Sequence, residues 1–99
     1  MASSGRFKRM YHAAVTAEVL KLKRHYSNSE IQKKLPNIVL QCYFETQQAL
    51  KEHQEKYHEF GLMDYYEQQS GLINSYHKYR KLPLTAWNEK IEYWEIKNR

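Results

Sequence analysis

Cysteine is nearly absent: Cys42 is the one thiol among 99 residues. No disulfide can form within the chain, and no CxxC or paired Cys/His spacing supplies a structural zinc site. A reducing compartment, the cytoplasm or an equivalent, is the expectation. Long apolar runs are missing too. The longest aliphatic run is Ile38-Val39-Leu40, far from the roughly 20 residues a membrane span needs, and no signal-peptide core precedes it, so a soluble protein is expected. Three Gly and two Pro leave no Gly-rich phosphate loop, no G-x-S-x-G elbow and no H-E-x-x-H, and therefore no motif that would mark an enzyme or a cofactor site. Leu, Ile, Val and Phe together fill only 20 positions, near the composition at which strongly charged chains stay unfolded. Nine Tyr, two Trp and three Met must supply much of the buried area. The length fits one domain, expected over residues 6–99 behind a short polar tail at 1–5.

What the chain does have is positive charge, unevenly placed. Of the net +5, residues 1–34 contribute +6, residues 35–63 contribute −2 and residues 64–99 contribute +1. A basic N-terminal third invites an acidic partner, whether an acidic protein, a nucleic acid or an anionic surface.

The hydrophobic spacing is helical throughout, and no segment reads as a strand. A first helix is predicted over about 6–26, with Phe7, Tyr11, Ala14, Val15 and Leu22 on one side and Glu18 interrupting it. Ser27-Asn28-Ser29-Glu30 forms a capping box that starts a short helix ending before Pro36. From Ile38 to Phe60, Val39, Tyr43, Thr46, Leu50, His53, Tyr57 and Phe60 recur at intervals of four and three, a packing seam. Gly61 is placed for a left-handed C-terminal cap. Asp64 and Glu67 suggest a second capping box, followed by the stripe Tyr65, Gln69, Leu72, Tyr76 and Tyr79, with Gly71 weakening the middle by about 1 kcal/mol. Thr85 is placed to cap a last helix carrying Trp87, Ile91 and Trp94. The fold expected is a small antiparallel all-α helical bundle, with four main helices and the short helix as a corner.

Few residues are candidates for chemistry. Glu55-Lys56-Tyr57-His58 is an E-x-x-H, the spacing of one half of a di-iron site, but no second copy accompanies it, and a solvated helix face is the reading preferred to a metal site. His53 and His58 are five residues apart, about 140° around a helix, and could not readily share one metal. Cys42 lies beside the seam rather than at a helix start, so a buried, inert thiol is expected.

The basic residues divide into two groups. Lys21, Lys23, Arg24, Lys33, Lys34, Lys78, Arg80 and Lys81 fall near predicted helix C-termini, where the helix dipole favours cations by about 0.3–1 kcal/mol each. Arg6, Lys8 and Arg9 crowd a helix N-terminus, where the dipole disfavours them, so folding gives no reason for their presence. On the helical period Arg6, Arg9, Ala13, Thr16, Leu20 and Lys23 form one ridge, with His12 beside Arg9 and Arg24 beside Lys23, opposite the Phe7/Tyr11/Leu22 stripe.

Two segments carry partial resemblances. Ser29 to Ile38 resembles the first helix and turn of a helix-turn-helix, with Ile31 and Leu35 at its apolar positions. Gln32 and Pro36, however, replace the usual small residue and turn glycine, and the helix that follows is too long for a recognition helix. Phe7-Lys8-Arg9 resembles the Leu-Tyr-Arg tripeptide that opens small mitochondrial assembly proteins, with Arg9 the matching residue. The first 29 residues are also basic, Ser-containing and acid-poor as mitochondrial transit segments are, which would imply the mitochondrial matrix. The same residues read as a first bundle helix have an apolar stripe to pack.

The functional expectation is a non-enzymatic helical binding module: a regulator, inhibitor, immunity-type factor or accessory subunit without cofactor or metal. Its acidic partner would dock on Arg6, Lys8, Arg9, His12, Lys23 and Arg24, with Tyr65, Tyr66, Tyr79 and Tyr93 as aromatic anchors. The alternative is sequence-independent binding of DNA or RNA by the same basic face. Self-association through the 39–60 seam is a further possibility.

Overall fold

A computed structural model describes residues 5–97, with side chains through Ile91. Four helices follow one another: α1 (Arg6–Leu22), α2 (Asn28–Tyr57), α3 (Leu62–Tyr79) and α4 (Leu84–Lys97). No strand occurs among the described residues, and the all-α bundle expected from the sequence is what forms. Of the expected tail, Gly5 is the N-cap of α1, and residues 1–4 lie outside the described residues.

α1 starts without a side-chain cap and without an acidic residue in its first turn. Packing, not local capping, holds it: Phe7, Tyr11, Val15 and Val19 are all buried. It stops at Leu22 rather than Tyr26, so Lys23 and Arg24 belong to the turn that follows.

The largest departure from expectation is at Pro36. The predicted corner helix and long helix are one 30-residue helix, α2, with Pro36 inside it. An internal proline removes one backbone hydrogen bond and costs about 3 kcal/mol. Ile31, Leu35, Val39 and Cys42 nevertheless form one unbroken buried stripe through the proline, the three aliphatics alone worth about 1.5–3 kcal/mol each. Burial outweighs the proline, and the turn a helix-turn-helix requires does not exist. The Ser27–Glu30 capping box forms as expected, with Glu30 N–H donating to Ser27 Oγ at 3.3 Å and Ser27 N–H to Glu30 Oε1 at 3.3 Å.

The other caps differ in detail. His58, not Gly61, is the left-handed C-cap of α2, at φ 49°. Gly61 is instead the extended N-cap of α3, which leaves Asp64 inside the first turn rather than at a cap. Gln54 closes the turn between α2 and α3, accepting from Phe60 N–H at 3.0 Å and donating to its carbonyl at 2.7 Å. α4 begins at Leu84, so Thr85 is not its cap. The Leu84 N–H donates at 2.7 Å to Gln32 Oε1 of α2, which supplies from another helix the acceptor that an N-terminal amide needs.

Contacts set the topology. Phe7 meets His53 and Phe60 at the far end of α2, so α1 and α2 run antiparallel. Tyr43 meets Tyr76, and Gln47 reaches the Gln69 carbonyl, so α3 runs back along α2 in the direction of α1. α2 packs against all three other helices, and the long dimension of 44 Å matches its length, about 45 Å at 1.5 Å per residue. The expected self-association seam is spent inside the molecule. Val39, Thr46, Leu50 and Phe60 are buried and Tyr43 and His53 half-buried, with Tyr57 alone of the seven exposed. Trp87, Tyr11 and Phe7 are the bulkiest fully buried side chains, so aromatics do fill the core that aliphatics could not.

Candidate functional site

The outward side of α1 carries a groove of about 640 Å³ lined by Lys8, Arg9, His12, Ala13, Thr16, Ala17, Leu20 and Tyr79. This is the ridge read from the helical period, now with a wall from α3. Its floor is apolar and low, because Ala13, Thr16 and Ala17 are small and occupy consecutive turns. Among the described residues its lining contains no carboxylate. The Thr16 hydroxyl, on the floor, has no hydrogen-bond partner among the described residues.

Each cation reaches its place differently. The Arg9 guanidinium lies against the helix start, where a Cβ on Gly5 would be 2.8 Å from Arg9 Nη1. Lys8 lays its stem on α3, where a Cβ on Gly71 would be 2.7 Å from Lys8 Cε. Gly71 therefore serves a close approach, which answers the question its place in mid-helix raises. Lys23 and Arg24 are exposed in the turn beyond α1, about 21 Å along the helix axis from Arg9 by the 1.5 Å rise.

Arg6 departs from expectation. It is not available on the ridge: its Nη1 donates to Glu59 Oε1 at 3.2 Å and its Nη2 lies 3.3 Å from His53 Nδ1. His53 Nε2 in turn bonds Glu59, closing a triangle that ties the start of α1 to the α2–α3 turn. The hydrogen bond from His53, with the Arg6 guanidinium beside it, holds the Glu59 carboxyl below the usual carboxylate range. Arg6 thus has a structural partner within its own chain, whereas Arg9 has no carboxylate partner among the described residues.

His12 is half-buried between Tyr79 and Trp87, with ring centroids 6.0 and 5.3 Å away. Burial, then the nearby Lys90 and Lys78, push its pKa below the ordinary histidine value. Those two lysines extend the positive field of the groove. Neither was singled out for the ridge from sequence, because each sits on another helix and only tertiary packing brings it to His12. Tyr79 was expected as an exposed anchor. It is half-buried instead, packed on Tyr11 at 5.1 Å and Trp87 at 5.0 Å, and burial raises its phenol pKa.

The remaining aromatic candidates are elsewhere. Tyr65 packs against the core, and Tyr66 is 54% exposed; both line a second, largely uncharged groove between α2 and α3 with Phe44 and Ile73. Tyr93 lies outside the described side chains. The nine sequence candidates with described side chains therefore do not form one surface: Lys8, Arg9, His12 and Tyr79 meet in the α1 groove, Lys23 and Arg24 stand at its far end, and Arg6, Tyr65 and Tyr66 are directed elsewhere.

Cys42 is buried, and burial, reinforced by Glu45 and Glu18, pushes its thiol up to about 11. Glu55 and His58 are exposed, and His58 has left the helix, so the E-x-x-H pair does not share a helical face. Among the described residues no three His, Cys, Asp or Glu side chains are grouped to hold a metal ion. No described helix is long and apolar enough to cross a membrane. No protein-family model, curated protein or solved structure matches this chain.

Proposed function

We propose that the protein is a non-enzymatic helical binding module that occupies an acidic protein partner through the groove on α1. The observation that carries this reading is the composition of the groove: a low apolar floor of Ala13, Thr16, Ala17 and Leu20, with Lys8 and Arg9 on its rim and, among the described residues, no carboxylate in its lining. Apolar floors of this kind bind by desolvation, and a rim of one sign selects the partner's charge and speeds encounter. Arg9 is central, because it stands at the helix pole the dipole makes unfavourable for cations and, among the described residues, has no ion pair of the kind Arg6 makes.

Nucleic acid is the competing partner for a basic face. The apolar centre of the groove favours protein, since a phosphate backbone laid along it would place anions over Ala13, Ala17 and Leu20 with no cation beneath. The test is affinity purification from the native cell with nuclease treatment, comparing the unaltered chain with the Arg9→Glu/Lys23→Glu variant. The expected result is an acidic protein that survives nuclease and is lost from the variant. Capture that the double reversal leaves unchanged would sink the reading. Capture that disappears with nuclease would replace it with nucleic-acid binding.

A further inference from the structure

Backbone chemistry narrows the form the partner can take. Between its ends α1 is a continuous helix, so its central amides and carbonyls are already bonded to one another, and it has no free edge onto which an extended peptide could add as a strand. Over the same stretch the groove is lined by Ala13, Thr16, Ala17 and Leu20, which give an extended chain's backbone almost nothing to bond. A helix brings its own backbone bonds with it and needs only apolar contact there. Small residues on consecutive turns also allow two helix axes to approach closely, within the usual 8–10 Å.

The charges set the length. Lys8 and Arg9 stand at one end, joined by Lys78 and Lys90, both close enough to His12 to act on it. Lys23 and Arg24 stand at the other end, exposed in the turn after α1. The separation of about 21 Å corresponds to roughly 14 residues of helix.

We propose that the α1 groove receives an amphipathic helix of the partner about four turns long, with carboxylates at both ends and an apolar stripe between. This rests on the docking function proposed above and specifies what docks. The ends of such a helix meet Arg9 and Lys23, and its apolar side chains recur at helical spacing over Ala13, Thr16/Ala17 and Leu20.

The experiment uses the full chain and four fluorescent probes, read by anisotropy. The first is a side-chain-stapled peptide of about 16 residues with Glu at both ends and Leu at helical spacing between. The second has the same composition with D-residues that prevent the helix. The third is a stapled helix with its Glu residues moved to the centre, and the fourth is single-stranded DNA. The expected result is that the first binds at least about tenfold tighter than the second and third. A protein variant, Ala13→Arg/Ala17→Arg, keeps the groove positive but fills its floor. Both positions are exposed, so the fold is expected to survive, with circular dichroism as the check. The variant should lose the first peptide at least about tenfold and bind DNA no more weakly than before.

Equal binding of the first and second probes overturns the helical partner while leaving an acidic partner in place. Equal binding of the first and third overturns the two-ended charge pattern. Failure of all three peptides alongside tight, salt-sensitive DNA binding overturns both this inference and the function on which it rests.

Discussion

His12 sits where three helices meet, in a groove whose lining also holds Lys8 and Arg9, and its chemistry is set by its burial and by its neighbours on the other two helices: Tyr79 and Lys78 on α3, and Trp87 and Lys90 on α4. Its folded pKa lies below the ordinary value of about 6.5. Between those two values the unfolded chain binds a proton that the folded chain does not, so His12 subtracts stability as pH falls through that window. A carboxylate entering the groove reverses the balance by favouring the charged ring. Affinity for the stapled acidic peptide should therefore rise as pH falls from about 7.5 towards 5.5, and His12→Gln should flatten that part of the profile, as measured by anisotropy across pH. Gly71 carries a second expectation at this scale. Alanine there improves the helix by about 0.5–1 kcal/mol, and the only close obstacle is the flexible stem of Lys8. Gly71→Ala should raise the melting temperature by a few degrees while moving Lys8 off α3.

At the scale of the elements, α2 shows why periodicity and breakers can disagree. Ile31 and Leu35 were read before the proline and Val39 and Cys42 after it, as parts of two helices, because a proline between them reads locally as a stop. The outcome depended on how much area those four side chains bury against α1 and the rest of the core, a tertiary quantity that no local rule contains. Pro36 is exposed and has no N–H to donate within the helix. Pro36→Ala should restore the amide to the Gln32 carbonyl and raise stability by about 1–3 kcal/mol, measurable by chemical denaturation. The gain falls at the low end of that range to the extent that proline also restricts the unfolded chain. The α2–α3 turn was read less well for a related reason. Gly61 is the residue type that suits a left-handed cap, yet Gln54 bonds both backbone groups of Phe60, and the chain turns earlier, at His58. The candidate site divides the same way. The α1 ridge was legible because all its members lie on one helix and follow one period. Tyr79 was named from the sequence as an anchor, but its place in the wall of this groove was not legible, nor were Lys78, Lys90 and the bed that Gly71 makes for Lys8, because they come from α3 and α4. The loss of Arg6 to Glu59 could not be read either, since the two are joined across 53 positions.

For the whole molecule, the uneven charge becomes a matter of faces. Of the cations in the N-terminal third, Lys8 and Arg9 line the groove on the outward side of α1, while the described lining of the α2–α3 groove is Tyr, Phe, Gln, Ser and Ile with Lys51 as its one charge. Helix α2, in contact with α1, α3 and α4, is the mast that keeps those two faces apart. α1, by contrast, is buried along Phe7, Tyr11, Val15 and Val19 and bare along Ala13, Ala17 and Leu20. A guest rod laid in its groove would turn this helix into the middle layer of a three-deep stack. Solvent would then be shut out from both flanks of α1, and its amide hydrogens should exchange more slowly in the complex than in the free protein.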